Sequence, residues 1–152
     1  GKRYVHNYYG FMPDQLNEDM PSDRLIAEWW LKDKRVIDCL SATSKGQSRP
    51  DAPNQGVLNR TIIGPLGLRK PEKVSWDVNC IARGTPSFVY IEIPTNFQEI
   101  RQQNFDLALE WRLSLRDLLD NCFAHGLFIN GFLYTGDRAF YRLGKLDEVD
   151  KD

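Results

Sequence analysis

Cysteine and histidine are scarce in this chain, three and two among 152 residues. Cys39, Cys80 and Cys122 lie far apart, are odd in number and have no Cys-x-x-Cys spacing, so neither a zinc site nor a disulfide framework is indicated. A reducing, cytoplasmic setting follows. Neither sign of charge is in excess: 20 Lys and Arg against 21 Asp and Glu give a formal net charge of −1. Nucleic-acid binders carry a basic surplus that displaces phosphate counter-ions, so no nucleic-acid partner is expected. The densest basic cluster (Arg69, Lys70, Lys73) stands beside Pro71 and Glu72 and reads as a solvated loop. No apolar run reaches the roughly 18 residues of a membrane span, and no charged n-region precedes an apolar h-region, so no membrane partner is expected either. No Ser-His-Asp order, His-Glu-x-x-His pair or Walker string stands out. The first residue is Gly rather than Met, which fits a tag scar, a processed product or a fragment.

What is present is a chain of ordinary globular composition, 41% hydrophobic and 27% charged, with the length of one domain. Residues 3–10 and 21–31 are rich in aromatic and branched side chains and read as two strands joined by a long Gly-, Pro- and Asp-containing loop. Trp29 and Trp30, adjacent on a strand, point to opposite faces and load both with about 150–250 Å² of apolar surface each. Such a strand needs a layer on either side. Residues 1–40 are therefore expected to be a hairpin that seeks neighbours, either in another copy or in the C-terminal sheet.

Residues 41–73 read as a linker or mobile loop, most clearly at 41–56. Short strands are expected at 57–63 and 74–81, with Gly64-Pro65-Leu66-Gly67 as a turn. From residue 86 the pattern sharpens. A strand runs to Pro94, Asn96 or Thr95 caps a short helix at 97–103, and Asn104 caps a longer helix at about 105–124. Its apolar stripe is Ala108, Trp111, Leu115, Leu118, Leu119, Cys122 and Phe123, and Arg112, Arg116, Asp117, Asp120 and Asn121 fall on the other side. His125 and Gly126 end the helix. A hairpin follows, 127–134 and 139–143, and residues 146–152 form a frayed tail. The implied fold is mixed α/β: a partly antiparallel sheet with one long helix packed on it, in which residues 74–145 form a C-terminal β-α-β-β unit.

The strings Asn7-Tyr8-Tyr9-Gly10, Pro21-Ser22-Asp23-Arg24 with Trp29-Trp30-Leu31, Ile91-Glu92-Ile93-Pro94 followed by Asn96-Phe97-Gln98, Leu107-Ala108-Leu109-Glu110-Trp111-Arg112, and the run from Gly126 to Gly131-Phe132 occur in this order. Together they resemble a branch of the GNAT superfamily, the acyl-CoA-dependent N-acyltransferases, in which a C-terminal extension of roughly a hundred residues follows the GNAT domain. The family holds the coenzyme A pyrophosphate on the backbone N–H groups of a Gln/Arg-x-x-Gly-x-Gly/Ala loop that opens a helix. No such string occurs here. In the family that loop lies upstream of the position matching Arg3, so this chain resembles the last hairpin of a GNAT core plus the extension. The resemblance implies transfer of an acyl group from acyl-CoA, acetyl- or succinyl-CoA, to a primary amine such as that of an amino acid. The missing N-terminal half, or a second copy, would be its partner, and no acyl-CoA is expected on this chain alone.

By the same resemblance, Asn7, Tyr8 and Tyr9 would lie on the penultimate core strand. Tyr8 or Tyr9 would hold substrate or donate a proton to the departing thiolate, against the plainer reading of cross-strand aromatic packing. Asp23 and Arg24 stand where the loop enters the last strand. Arg24 suits a substrate carboxylate, or else an internal pair with Asp23 or Glu28. Glu92 sits between two isoleucines on a buried strand, where a carboxylate serves as a general base or pairs with an arginine. The reading from another class is a non-catalytic dimerisation or substrate-gating module, or a proteolytic fragment.

Overall fold

The computed structural model describes residues 3–10, 20–28, 37, 51–72 and 88–145. These form a mixed α/β arrangement of three small antiparallel sheets and two helices. Strands β1 (Arg3–Val5) and β2 (Arg24–Ile26) pair with Tyr4 opposite Leu25. Strands β3 (Thr61–Ile63) and β4 (Arg69–Pro71) form a second hairpin around a 3₁₀ turn at Pro65–Gly67. Strand β5 (Val89–Ile93), helix α1 (Phe97–Gln103), helix α2 (Phe105–Ala124) and strands β6 (Leu127–Tyr134) and β7 (Ala139–Lys145) follow among the described residues, with sheet order β5-β7-β6.

The helix boundaries are chemical. Asn96 Oδ1 accepts the Glu99 N–H at the start of α1, and Asn104 Oδ1 accepts the Leu107 N–H at the start of α2. The backbone N–H of Asn104 also donates to Ile100 O, so one residue closes α1 and opens α2. At the far end His125 is the C-cap, and Gly126, at φ 75°, adopts the left-handed conformation that releases the chain into β6.

Helix α2 covers one face of the three-stranded sheet. Val89 and Ile91 of β5, Leu143 of β7 and Leu127 of β6 pack with Leu118, Leu119 and Cys122 in one core cluster, all nearly or wholly buried. A second cluster gathers Met20, Ile100, Leu107, Ala108 and Trp111 where the two helices meet. The Trp111 indole is fully buried, and its N–H donates to the Arg69 carbonyl at 2.9 Å, tying β4 to α2. The alternation that sends Val89 and Ile91 toward the helix sends Tyr90 and Glu92 the other way.

A fourth strand position lies along β5. Val57 bridges Tyr90 in parallel, Leu58 N donates to Tyr90 O, and Tyr90 N donates to Gly56 O. One step further the side chain of Asn59 takes over. Its Oδ1 accepts the Glu92 N–H at 2.7 Å and its Nδ2 donates to the Glu92 carbonyl at 2.8 Å, so a side-chain amide continues a backbone ladder.

Several expectations change. The N-terminal strands are shorter than 3–10 and 21–31: β1 stops at Val5 and residues 6–9 turn. Asn7, Tyr8 and Tyr9 are thus turn residues rather than strand residues, and Asn7 takes a positive φ of 45°. Within the stretch assigned to a linker, the expected strand at 57–63 and turn at 64–67 appear as β3 and the 3₁₀ turn, while β4 at Arg69–Pro71 completes a hairpin that was not expected, and Leu58 and Asn59 are buried. Arg69, assigned to a solvated loop, is a strand residue. Trp29 and Trp30, the expected strand at 74–81, Cys39, Cys80 and the tail at 146–152 lie outside the described residues. Cys122 is fully buried in the core between α2 and the three-stranded sheet.

Replacing Asn59 by Ala leaves the buried N–H and C=O of Glu92 without partners, at about 1–3 kcal/mol for each abandoned group. Urea denaturation will show the loss, and Asn59→Asp, which sets a buried carboxylate oxygen against the Glu92 carbonyl, will not restore the stability.

Candidate functional site

Two buried carboxylates, each clasped by an arginine, organise the side chains of interest. Asp23 stands at the entrance to β2, and its side chain has no exposed surface. Arg116 of α2 grips it with two bonds, Nε to Oδ2 at 2.8 Å and Nη2 to Oδ1 at 2.7 Å. The Asn7 backbone N–H donates to Oδ1 at 2.9 Å and the Tyr4 hydroxyl to Oδ2 at 3.2 Å. Burial pushes the Asp23 carboxyl up, but the Arg116 and Asn7 hydrogen bonds and the Arg116 charge outweigh it and hold the group below its ordinary range. The same bond raises Arg116. Tyr4 is driven to about 12, first by burial and then by the Asp23 charge, with Arg112 opposing.

Arg116 belongs to a stripe on α2. Arg112, Arg116 and Asp120 follow at intervals of four, which on a helix places them on one face. The N-terminal hairpin lies along them: Tyr4 beside Arg112, Asp23 on Arg116, and His6 Nε2 at 2.6 Å from Asp120 Oδ2. The side of α2 read as outward-facing is therefore where β1 docks.

Between the hairpin and α2 opens a cavity of about 290 Å³. Leu25, Ile93, Pro94, Phe97 and Tyr141 form much of its wall, and Tyr4, Asp23 and Arg112 supply its polar groups. The Arg112 guanidinium lies 4.8 Å from the centroid of the Phe97 ring, and its Nε is buried with no hydrogen-bond partner. A buried donor left unpaired costs about 1–3 kcal/mol.

Glu92 is the second carboxylate, 1% exposed. Arg138 holds it bidentately, Nε to Oε1 at 2.8 Å and Nη2 to Oε2 at 2.7 Å, and the Thr61 hydroxyl donates to Oε2 at 2.6 Å. Arg69 stands 3.8 Å away and donates to Thr61 Oγ1. The Thr135–Arg138 turn puts Arg138 at the mouth of β7, where the β5–β7 register sets Glu92 opposite Phe140. The bond to Glu92 raises Arg138. A second cavity, also about 290 Å³, reaches Glu92, Arg69 and Arg138 on one side and Ile100 and Trp111 on the other.

The sequence-derived candidates separate into three groups. Asn7 and Asp23 come together, through a backbone N–H rather than the Asn7 side chain. Tyr8, Tyr9 and Arg24 form an exposed cluster: the two rings meet edge to face at 5.0 Å, and the Arg24 guanidinium lies 5.0 Å from the Tyr9 centroid. Arg24 donates to the Asp23 carbonyl rather than to its carboxylate. Glu92 sits apart with Arg138. Arg112, Arg116 and Arg138 were not singled out. The four-residue spacing on α2 was the available sign for the first two, and nothing local marked the third. Among the described residues no group of His, Cys, Asp and Glu is placed to hold a metal, and no helix is long and apolar enough to cross a membrane. Comparison of the chain with protein-family models, with curated proteins and with solved structures finds no match.

The Asp23–Arg116 pair gives stability a defined pH dependence. The folded carboxyl titrates below its unfolded value of about 3.9, so the contribution is complete above that value and disappears as pH falls through the lower folded one. Asp23→Asn strands the Arg116 charge and will cost about 3–5 kcal/mol near neutrality. In urea titrations the gap between the two proteins will be constant from pH 7 to about 5 and narrow in more acidic solution.

Proposed function

We propose that this chain is the acceptor-binding part of an acyl-CoA-dependent N-acyltransferase of the GNAT kind, acting on a primary amine such as that of an amino acid. One observation carries the reading. Three of the strings that resemble the family, separated by up to some ninety positions, contribute to a single cavity: Asp23 from the string at 21–24, Ile93, Pro94 and Phe97 from the string at 91–98, and Arg112 from the string at 107–112. Its volume of about 290 Å³ sits at the small end of the range for ligand pockets and suits one small molecule.

In this reaction the amine nitrogen attacks the thioester carbonyl, the C–S bond breaks, the sulfur leaves as thiolate and the nitrogen gives up a proton. The residues of the cavity contribute grip and orientation. Tyr4, at about 12, keeps its proton at neutral pH, and Asp23 is engaged by Arg116, so neither is free to accept the proton of the amine. That transfer and the binding of acetyl- or succinyl-CoA are assigned to residues outside this cavity or to a second copy. A non-catalytic dimerisation module is the competing reading, favoured by Phe132 and Tyr134, 63% and 46% exposed on β6 at the end of the sheet order.

The protein expressed from its complete reading frame, supplied with acetyl- or succinyl-CoA and a panel of amino acids and amines, will release free thiol only when a suitable amine is present. The 152-residue chain alone will show no micromolar acyl-CoA binding by calorimetry. Absence of amine-dependent thiol release across the panel overturns the acyltransfer reading, and tight acyl-CoA binding by the chain alone overturns the division of labour.

A further inference from the structure

We propose that Arg112 receives the carboxylate of an apolar α-amino acid in the cavity between the N-terminal hairpin and α2. The inference rests on the acceptor-binding reading above and names its substrate class.

Charge balance comes first. Two guanidinium groups one helical turn apart, Arg112 and Arg116, face this region, and the described residues that line the cavity include one carboxylate, Asp23. Arg116 uses both oxygens of that carboxylate, and the Asn7 N–H and Tyr4 O–H occupy what remains of them. Asp23 is thus saturated, and the charge of Arg112 has no matching anion among the described lining residues. The second point is geometric. Arg112 Nε is buried without a partner, and the guanidinium is held against the Phe97 ring, so its planar fork is fixed rather than free to seek solvent. Arg112 lines the cavity and hydrogen-bonds the Tyr4 hydroxyl, and a guanidinium held in this way is matched by a carboxylate.

The third point concerns the remainder of the ligand. Away from Arg112, Asp23 and Tyr4 the walls are Leu25, Ile93, Pro94, Leu115, Leu119 and Tyr141. Tyr141 offers its ring, and burial raises its hydroxyl so that it stays neutral. These walls reward an aliphatic or aromatic side chain and leave a charged one without a partner. A carboxylate at Arg112 with an apolar body against the walls describes a small apolar amino acid, whose amine remains for acylation. Arg24, the sequence-derived candidate for this task, lies in the exposed cluster with Tyr9 and does not line the cavity.

The test is calorimetric titration of the full chain with L-leucine, L-leucinamide and L-glutamate, with nitrogen-15 NMR to locate the response. Leucine will bind and perturb Phe97, Arg112 and Leu115. Leucinamide, which lacks the anionic group, and glutamate, which places a second charge against the apolar walls, will each bind about tenfold more weakly or worse. Arg112→Gln will lose leucine binding by a similar factor, with Arg112→Lys between the two proteins. Because the ligand series uses the unaltered chain, it stands even where a variant unfolds. Equal affinity for leucine and leucinamide, equal affinity for leucine and glutamate, or no leucine binding, overturns the inference. If leucine binds as expected but no amine elicits thiol release, the carboxylate site stands and the acyltransfer reading falls. If leucinamide is acylated as readily as leucine, the transfer reading stands and this inference falls.

Discussion

Asp23 has no side-chain surface in water, and a carboxylate so placed is tolerable only if its charge is met and its lone pairs are filled. Arg116 meets the charge, and the Asn7 N–H and the Tyr4 hydroxyl fill the remainder. Each of these partners comes from a different place: the middle of α2, the turn after β1, and β1 itself. The carboxylate therefore fixes the hairpin relative to the helix more tightly than the three-residue ladder between β1 and β2 alone, and it sets one wall of the cavity beside it. Removing either charge would leave its partner buried alone, which is why the pair acts as a positional constraint more than as a source of net stability.

Glu92 and Arg138 perform the same office on the three-stranded sheet. Here the carboxylate comes from β5, the guanidinium from the turn before β7, and the Thr61 hydroxyl from β3. A strand, a turn and a separate hairpin are locked by a single group, with Arg69 close by as a further cation. The two cavities lie next to these two clasps, and Ile93 and Pro94, at the end of β5, line both. Side chains that hold the fold thus also shape the spaces within it. A candidate catalytic carboxylate, Glu92, is better understood as the counter-ion of Arg138.

The local grammar of the C-terminal half was legible because it is written in short-range chemistry. Asn96 and Asn104 as caps, the stripe from Ala108 to Phe123 and Gly126 after the helix are each decided by residues within one or two turns. The strand from residue 86, the hairpin around Thr135–Arg138 and the burial of Trp111 followed from the same patterns. What could not be read depends on partners far away in sequence. Arg116 meets Asp23 across 93 positions and Arg138 meets Glu92 across 46. On the helix alone Arg112, Arg116 and Asp120 look like an ordinary solvated face. The stretch 51–72 was legible only in part: 57–63 and the turn after it could be read, but its contribution to the sheet runs partly through the Asn59 side chain, and no strand propensity reports that.

That side chain has a wider effect. In the order β5-β7-β6, β5 is a terminal strand, and such strands present unpaired N–H and C=O groups that can recruit a foreign chain. Residues 56–58 occupy the groups at Tyr90 and Asn59 occupies those at Glu92, so along this border the protein has sealed itself. Because the closing group at Glu92 is an amide on a short stem, the ladder is not handed on to a following residue. The flank is therefore protected from accretion without building another full strand.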